Sequence, residues 1–279
     1  MGYLLIEIGA TTSRLTYTAD VRAYDNIQTL RTNASYSKMI AALKEAAATY
    51  KEYDLAGVVV GVRGQLDDDK QSITHDSILT DWIDQPLAKD LAALFNTVVH
   101  MENNAALAAL GEAVYGAGSG HDIVVYHSLS TGVGGAKIES GSIDANRGSF
   151  EPGQQILDID HTILGEDVEP TLENLVSARA VEERMGIPPL EISQSDAIWD
   201  QLAYFLAHGL RNSILYWSPD ILVLGGPMML GTPHIDLNKV IEYTNEVVGE
   251  VTEVPLVVAG HFTDEVGLQG ALALANKLA

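Results

Sequence analysis

One local pattern occurs twice in this chain, and it limits the possible folds more than any other feature. Residues 3–8 (YLLIEI) read as a continuous apolar strand, Gly9-Ala10-Thr11-Thr12-Ser13 as a short polar turn, and 14–20 (RLTYTAD) as an alternating antiparallel return strand. The pattern restarts at 122–129 (DIVVYHSL), with Gly132-Val133-Gly134-Gly135 as the turn and 136–140 as the return. Strands and helices alternate elsewhere. Residues 36–50 place Tyr36, Met39, Ile40, Leu43, Ala46, Ala47 and Tyr50 on one helical face, and 56–62 (AGVVVGV) form a buried strand. Helices are predicted at 86–95 and 104–115, with a short strand at 97–101 between them. In the second half, 195–217 carries Trp199, Leu202, Ala203, Leu206, Leu210 and Ile214 on one face and stops before Pro219. Strands follow at 220–225 and 254–258, and helices at 235–249 and 266–278. Stretches 63–81 and 141–175 read as polar and irregular. The predicted class is α/β, in two similar domains with a cleft between them. The expected domains are 1–117 and 118–279, divided at the Gly/Ser-rich loop Gly116–Gly120, with the last helix able to pack back on the first domain.

Charge and composition narrow the partners. Sixteen Lys plus Arg against 38 Asp plus Glu give a net charge of −22 over 279 residues. Such a surface repels phosphate backbones and anionic lipid, which argues against nucleic acid and membrane partners. No apolar run approaches the roughly 18 residues that span a bilayer. Glu7 interrupts the first apolar stretch, so no signal peptide is read, and Ile6 fails the myristoylation pattern. The absence of cysteine removes disulfides, thiolate zinc sites, iron–sulfur clusters and thiol nucleophiles together. A soluble cytoplasmic protein is the expectation. The histidines show no pair at metal-ligand spacing, and His100, His121, His127 and His161 read as structural or surface groups. Trp82 reads as an ordinary core or surface aromatic.

The two turns are candidate anion sites. Without a Cβ the backbone approaches an anion closely, and successive N–H groups can point at it. Gly9 with Thr11, and Thr131 with Gly132, Gly134 and Gly135, supply such groups. A plain hairpin turn also favours glycine, so either turn alone is ambiguous; recurrence at the same point of two units favours the anion reading. The Walker pattern is absent. Basic residues are scarce in sequence around both turns. A phosphate here would therefore depend on backbone dipoles and a metal ion.

In this order the motifs resemble the ROK family of bacterial sugar kinases and sugar-responsive regulators, within the actin–hexokinase–Hsp70 superfamily. The resemblance covers nearly the whole chain. The family's opening Asp-Ile-Gly-Gly-Thr is met by Glu7-Ile8-Gly9-Ala10-Thr11, and its Gly-x-Pro-Gly by Gly61-Val62-Arg63-Gly64. Its Glu-Asn-Asp, leading into an alanine-rich helix that ends Leu-Gly-Glu, is met by Glu102-Asn103-Asn104 through Leu110-Gly111-Glu112. Thr-Gly-x-Gly-Gly is intact at 131–135, a late Gly-Gly falls at Gly225-Gly226, and the tail Gly267-Leu268-Gln269-Gly270-Ala271 also fits. The resemblance implies two actin-like, ribonuclease H-like domains, ATP and Mg2+ as cofactors, a sugar as the other ligand, and a homodimer as a common state. It places Glu7, Gly9, Thr11, Thr131, Gly132, Gly134 and Gly135 at the phosphates, with Glu7 organising Mg2+ through water. Gly225 and Gly226 would pass under the nucleoside, and Asn103, Glu151, Gln154 and Glu173 would hold the sugar.

Three departures qualify that picture. The family's Glu-x-Gly-His is here Glu151-Pro152-Gly153-Gln154. Counted from Gln154, the family's zinc-binding cysteine positions fall on residues such as Leu164, Glu166 and Thr171, with its final Glu on Glu173. This implies a zinc-free loop of unchanged length. The family's catalytic Asp is Asn104, and losing a general base costs about 10²–10⁴-fold. Glu7 stands where the family has Asp, one methylene shorter. Two readings stay open. One is an ATP-dependent kinase of a hexose or N-acetylhexosamine hydroxyl, impaired at Asn104. The other is a non-catalytic sugar- or nucleotide-binding protein of kinase descent. Asn103 and Asn104 also read as a helix N-cap, and Glu151 and Glu173 as solvated loop acids.

Overall fold

The computed structural model describes residues 2–50, 52–147 and 149–279. It builds the two strand–turn–strand patterns into two five-stranded sheets of like topology. The first holds β1 (Gly2–Ile8), β2 (Thr12–Thr18), β3 (Asp25–Arg31), β4 (Leu55–Val62) and β7 (Val99–Asn103), in the order β3-β2-β1-β4-β7. β1, β2 and β3 pair antiparallel, whereas β4 and β7 run parallel to β1. Between these strands lie α1 (Tyr36–Ala47), the small hairpin β5 (Gln65–Leu66) and β6 (Ile73–His75), and α2 (Leu87–Phe95); α3 (Asn104–Tyr115) follows. β1 is central, and Leu4, Leu5, Ile6 and Ile8 are fully buried, which accounts for its unbroken apolar run. Tyr36, Met39 and Leu43 of α1 pack into the same core as Trp82. Trp82 is a core residue: it is buried, donates from Nε1 to the Asn33 carbonyl, and stands edge-on to Tyr36.

The second sheet holds β8 (Ile123–Leu129), β9 (Val133–Glu139), β10 (Ser142–Ile143), β11 (Ile221–Gly225) and β12 (Leu256–Ala259), in the order β10-β9-β8-β11-β12. Its helices are α4 (Leu172–Val176), α5 (Ala178–Met185), α6 (Ile198–Trp217), α7 (Pro227–Leu230) and α8 (Leu237–Val248). The predicted face of α6 is buried with Leu172, Leu175, Leu222 and Leu224. The chain ends in α9 (Val266–Leu278).

Several elements differ from expectation. β3 was not foreseen, because an edge strand with one neighbour carries no apolar run. The stretch 63–81 holds the β5–β6 hairpin, tied by an Arg63–Asp76 ion pair of 2.6 Å. Gly134 and Gly135 are not turn residues: they lie in β9, opposite Ser128 and His127. By contacts, the chain divides into one unit of Met1–Gly111, Ala145–Ser149 and Glu265–Ala279, and another of Glu112–Asp144 and Phe150–Asp264. The division falls inside α3, ahead of the Gly116–Gly120 loop, and α9 belongs to the first unit. The reason is visible at consecutive residues. A Cβ on Gly111 would crowd the Gly270 backbone, and one on Gly270 would overlap the Leu107 carbonyl, so α3 and α9 touch backbone to backbone. Glu112, fully buried, accepts instead from the backbone N–H groups of Ala117, His261 and Phe262 at 2.8–3.0 Å.

His127 gives the second unit a pH dependence. It is fully buried on β8, with Nε2 3.0 Å from the Ser213 hydroxyl, and burial pushes its pKa down to about 4. The unfolded chain then takes up a proton that the folded chain refuses. His127 therefore contributes stability that is complete above about pH 6.5 and is lost as pH falls from there towards 4, on the order of 3 kcal/mol. Chemical denaturation across that range should show a shallower loss for His127→Leu than for the parent. Proton NMR should find the His127 ring untitrated above about pH 5.

Candidate functional site

In the first unit, Glu7 and Arg14 face each other across β1 and β2, with Nη1 3.3 Å from Oε2. A Cβ on Gly267 would overlap the Glu7 carboxylate, so α9 closes against this residue. At the tip, the Gly9 N–H donates to the Thr12 carbonyl at 3.0 Å, and the Thr11 carbonyl accepts from the Thr32 N–H at 2.9 Å. A cavity of about 500 Å3 opens beside the tip, lined by Ala10, Thr11, Arg31, Thr32, Asn33 and Ile78 among others. Arg31 was not anticipated in the sequence, where it stands far from the turn.

The β7–α3 junction lies in the same unit. Asn103 is 8% exposed, and its Oδ1 accepts from the Ala105 and Ala106 N–H groups at 2.8 and 3.2 Å. Its Nδ2 donates to the Gly64 carbonyl at 2.9 Å. Asn103 thus caps α3, and one amide hydrogen is left for a ligand. Glu102 is ion-paired with Lys70. Asn104 opens α3, and its amide takes part in none of the hydrogen bonds found among the described residues.

In the second unit the turn is closed by Ser130 N–H donating to the Gly132 carbonyl at 2.9 Å, with Thr131 at its apex. Gly9, Gly132, Gly134 and Gly135 all avoid the left-handed region; Gly226, at φ +86°, does not. Gly135 has a packing reason, because a Cβ there would overlap the Tyr126 carbonyl. Gly225 is crowded by the Tyr126 ring and Gly226 by the Leu129 backbone, so the chain passes tightly here into α7.

Glu173, on α4, reaches the second turn. Its Oε2 accepts from the Val133 N–H at 2.8 Å, and Arg179 lies 3.4 Å from Oε1. That N–H is therefore not open to a phosphate. The Glu151–Gln154 segment joins the same cluster, since a Cβ on Gly153 would overlap the Val133 carbonyl and Pro152 lies against Gly135. Gln154 is exposed and Glu151 half-buried. The structure thus gathers Glu151, Gln154, Glu173 and Gly132 in one unit, and Glu7, Gly9, Thr11, Asn103 and Asn104 in the other.

The loop between these acids is organised by Asp158. Leu164 is buried, Glu166 exposed, and Thr171 caps α4 through its hydroxyl. Among the described residues no group of three or more His, Asp or Glu stands close enough to hold a metal. Buried Asp158 accepts four hydrogen bonds, from Thr162 N–H and Oγ1, Ile163 N–H and Leu164 N–H, at 2.7–3.0 Å. Burial opposes its ionisation, but these bonds outweigh that and hold its carboxyl below the usual range. The Leu157 and Asp158 N–H groups both donate to the Pro170 carbonyl, and Leu172 N–H donates to Gln155. The loop's two ends therefore meet beside Glu173. Nothing in the sequence singled out Asp158 among 38 acids.

A sequence model described as ROK family matches residues 3–278. A fructokinase of Streptococcus mutans is 27% identical over 255 residues, covering 85% of this chain and 86% of that protein. Among solved structures, a ROK hexokinase from Thermus thermophilus superposes with a TM-score of 0.82 at 23% identity, covering 100% of both chains. A ROK family glucokinase from Streptomyces griseus, solved in complex with glucose and AMPPNP, also gives 0.82, at 22% identity over 99% of this chain and 100% of that one. These structures share the fold.

Asp158→Asn should loosen the loop while the sheets stay intact, because an amide has one acceptor oxygen and turns a donor towards donors. Hydrogen exchange of peptides spanning 158–172 should speed up about 10- to 100-fold at neutral pH. A carboxyl held below its unfolded pKa stabilises above that value and ceases to as pH falls through the folded one. The parent loop should therefore loosen only below about pH 4, and Asp158→Asn should show no such step. Equal protection in parent and variant at pH 7 would remove Asp158 from this role.

Proposed function

This chain belongs to the ROK family, and from that premise we propose that it is an ATP-dependent kinase of a hexose or N-acetylhexosamine hydroxyl. The observation that carries the reading is the match over 3–278, which takes in every motif of the two turns, the β7–α3 junction and the Glu151–Glu173 loop. The relatives named fructokinase and hexokinase, and the glucokinase holding glucose and AMPPNP, support a sugar and a nucleotide as the two ligands. The charge of −22 supports small-molecule partners in the cytoplasm over nucleic acid or anionic membrane. A homodimer is part of the same proposal.

The roles follow from what each side chain has left to offer. Glu151, Gln154 and Glu173 present acceptors, and Gln154 a donor, to neutral hydroxyls; Asn103 adds its remaining amide hydrogen. Thr11 of the first turn, and Thr131 and Gly132 of the second, offer backbone N–H groups and hydroxyls to phosphates, whereas Gly9, whose N–H is taken by the Thr12 carbonyl, serves by letting the first turn close. Gly135 acts by letting β9 close on Tyr126 and Pro152, with Gly134 beside it in the strand. Gly225 and Gly226, packed against the Tyr126 ring and the Leu129 backbone, would pass under the nucleoside in this reading. Glu7 is a part-buried oxygen donor of the type Mg2+ prefers, and its pairing with Arg14 suits contact through water rather than direct ligation. Bound there, Mg2+ would neutralise charge on the phosphates.

Asn104 is the feature that favours the second reading, a sugar- or nucleotide-binding protein without transfer. A neutral amide does not take the hydroxyl proton, so whatever rate remains must come from positioning and electrostatics. Steady-state assays of the parent and Asn104→Asp over hexoses and N-acetylhexosamines test this. Asn and Asp are near-isosteric, so the gain should fall in kcat, up to about 10²–10⁴-fold, with little change in sugar affinity. Fast turnover by the parent, unchanged in Asn104→Asp, would show that position 104 is not the base position. No turnover by either, with both ligands bound, would leave the binding protein as the function.

A further inference from the structure

In sequence the first turn has Arg14 as its nearest cation, and that side chain faces Glu7. Strand pairing brings a second cation from far along the chain. β3 places Arg31 directly opposite Thr12, and the next residue, Thr32, donates its N–H to Thr11. Arg31 therefore sits at the tip of the turn, on the wall of the 500 Å3 cavity that also exposes Thr11.

The wall is held in place. The Thr32 hydroxyl is bonded to Ser13 at 2.8 Å, the Asn33 Oδ1 accepts from Ser35 N–H at 2.9 Å, and the Asn33 carbonyl accepts from Trp82. Arg31 and the Thr11 hydroxyl take no part in the ion pairs and side-chain hydrogen bonds found among the described residues. Several cations of this acidic chain pair with carboxylates, Arg63 with Asp76, Lys70 with Glu102, and Lys137 with Glu139 and Asp144, whereas Arg31 is among those that do not. A guanidinium without a carboxylate, beside a hydroxyl and a glycine-containing turn, is set up to receive an oxyanion in a planar, two-pronged contact.

We infer that Arg31 is a phosphoryl-binding residue, its guanidinium holding an anionic oxygen at the first turn beside the Thr11 hydroxyl. The phosphoryl group belongs either to the nucleotide or to a phosphorylated sugar; that part rests on the kinase reading, whereas the anion site itself does not. This revises the expectation that phosphate at the turn relies on backbone dipoles and a metal alone. It also separates the two units chemically, since the first turn carries an unpaired cation and the second a carboxylate on its backbone.

The test is calorimetric titration of the parent, Arg31→Ala and Arg31→Lys with inorganic phosphate, Mg-ATP, hexose 6-phosphates and unphosphorylated hexoses. Circular dichroism and melting check each variant's fold; Arg31→Gln replaces Arg31→Ala if β3 is disturbed. Arg31→Ala should weaken phosphate binding at least about tenfold, Arg31→Lys should recover part of it, and affinity for unphosphorylated hexose should not move. A parallel loss for Mg-ATP identifies the nucleotide as the source, and one for hexose 6-phosphate identifies the sugar product. Phosphate, Mg-ATP and hexose phosphate binding equally to parent and Arg31→Ala would overturn the assignment, as would a parent that binds none of them. Phosphate binding lost in Arg31→Ala, in a protein without kinase turnover, would keep the anion site and discard the kinase reading.

Discussion

Glu112 is the interaction on which the second half of the molecule is built. Its carboxylate is fully buried and without a cation among the described residues, yet its oxygens take three backbone N–H groups, from Ala117, His261 and Phe262. A buried carboxyl group persists only where its oxygens are hydrogen-bonded. Here those bonds tie the end of α3 to the segment leading from β12 to α9. Gly116 and Gly260 close against the same oxygens, where a Cβ would collide. One residue earlier, Gly111 is committed to α9 by backbone contact with Gly270. Adjacent residues of one helix are thus bound into different packing, and this fixes where the chain divides. The Gly/Ser-rich loop at 116–120 looked like the boundary because composition marks mobility; contacts mark it elsewhere.

What was legible in the sequence is what burial forces to be apolar. β1, β4, β8 and β11 are interior strands, so periodicity found them. β3 escaped as an edge strand, and α4 and α5, of five and eight residues, escaped because they are too short to show a helical period even though Leu172, Leu175 and Val176 are buried. Glycine misled in a specific way. A run such as Gly132-Val133-Gly134-Gly135 reads as a turn, yet only its first residue is in the turn. Gly135 is required by the Tyr126 carbonyl, a cross-strand neighbour that sequence does not place.

The candidate site divides along the same line. Motifs that are contiguous in sequence, such as Glu102-Asn103-Asn104, could be read directly, including the ambiguity between a helix cap and a sugar contact. The structure shows that Asn103 caps α3 and still has a donor left, so the two roles do not exclude each other. Arg31, Lys70 and Asp158 were not legible, because each matters through a register or a loop closure rather than through its neighbours in sequence.

The departures from the family's pattern fall into two physical kinds. Under the proposed kinase reading, Asn104 and Glu7 would change groups that act on the reacting atoms, and their effect would fall on rate. The cysteine positions of the family's pattern fall between Gln154 and Glu173, where this chain has none, and there Asp158 organises the loop. Asp158 gathers Thr162, Ile163 and Leu164 with four bonds, Pro170 closes the loop's far end, and Thr171 caps the helix that carries Glu173. A carboxylate hub of this kind makes the order of the loop dependent on protonation. Glu173 is then held against the Val133 N–H whether or not phosphate is transferred. The placement of Glu173 against the Val133 N–H therefore rests on this loop and not on Asn104, which belongs to the other unit. On the proposed reading, binding would survive a change at Asn104 that lowers rate, and the kinase and the binding-protein readings part at that residue.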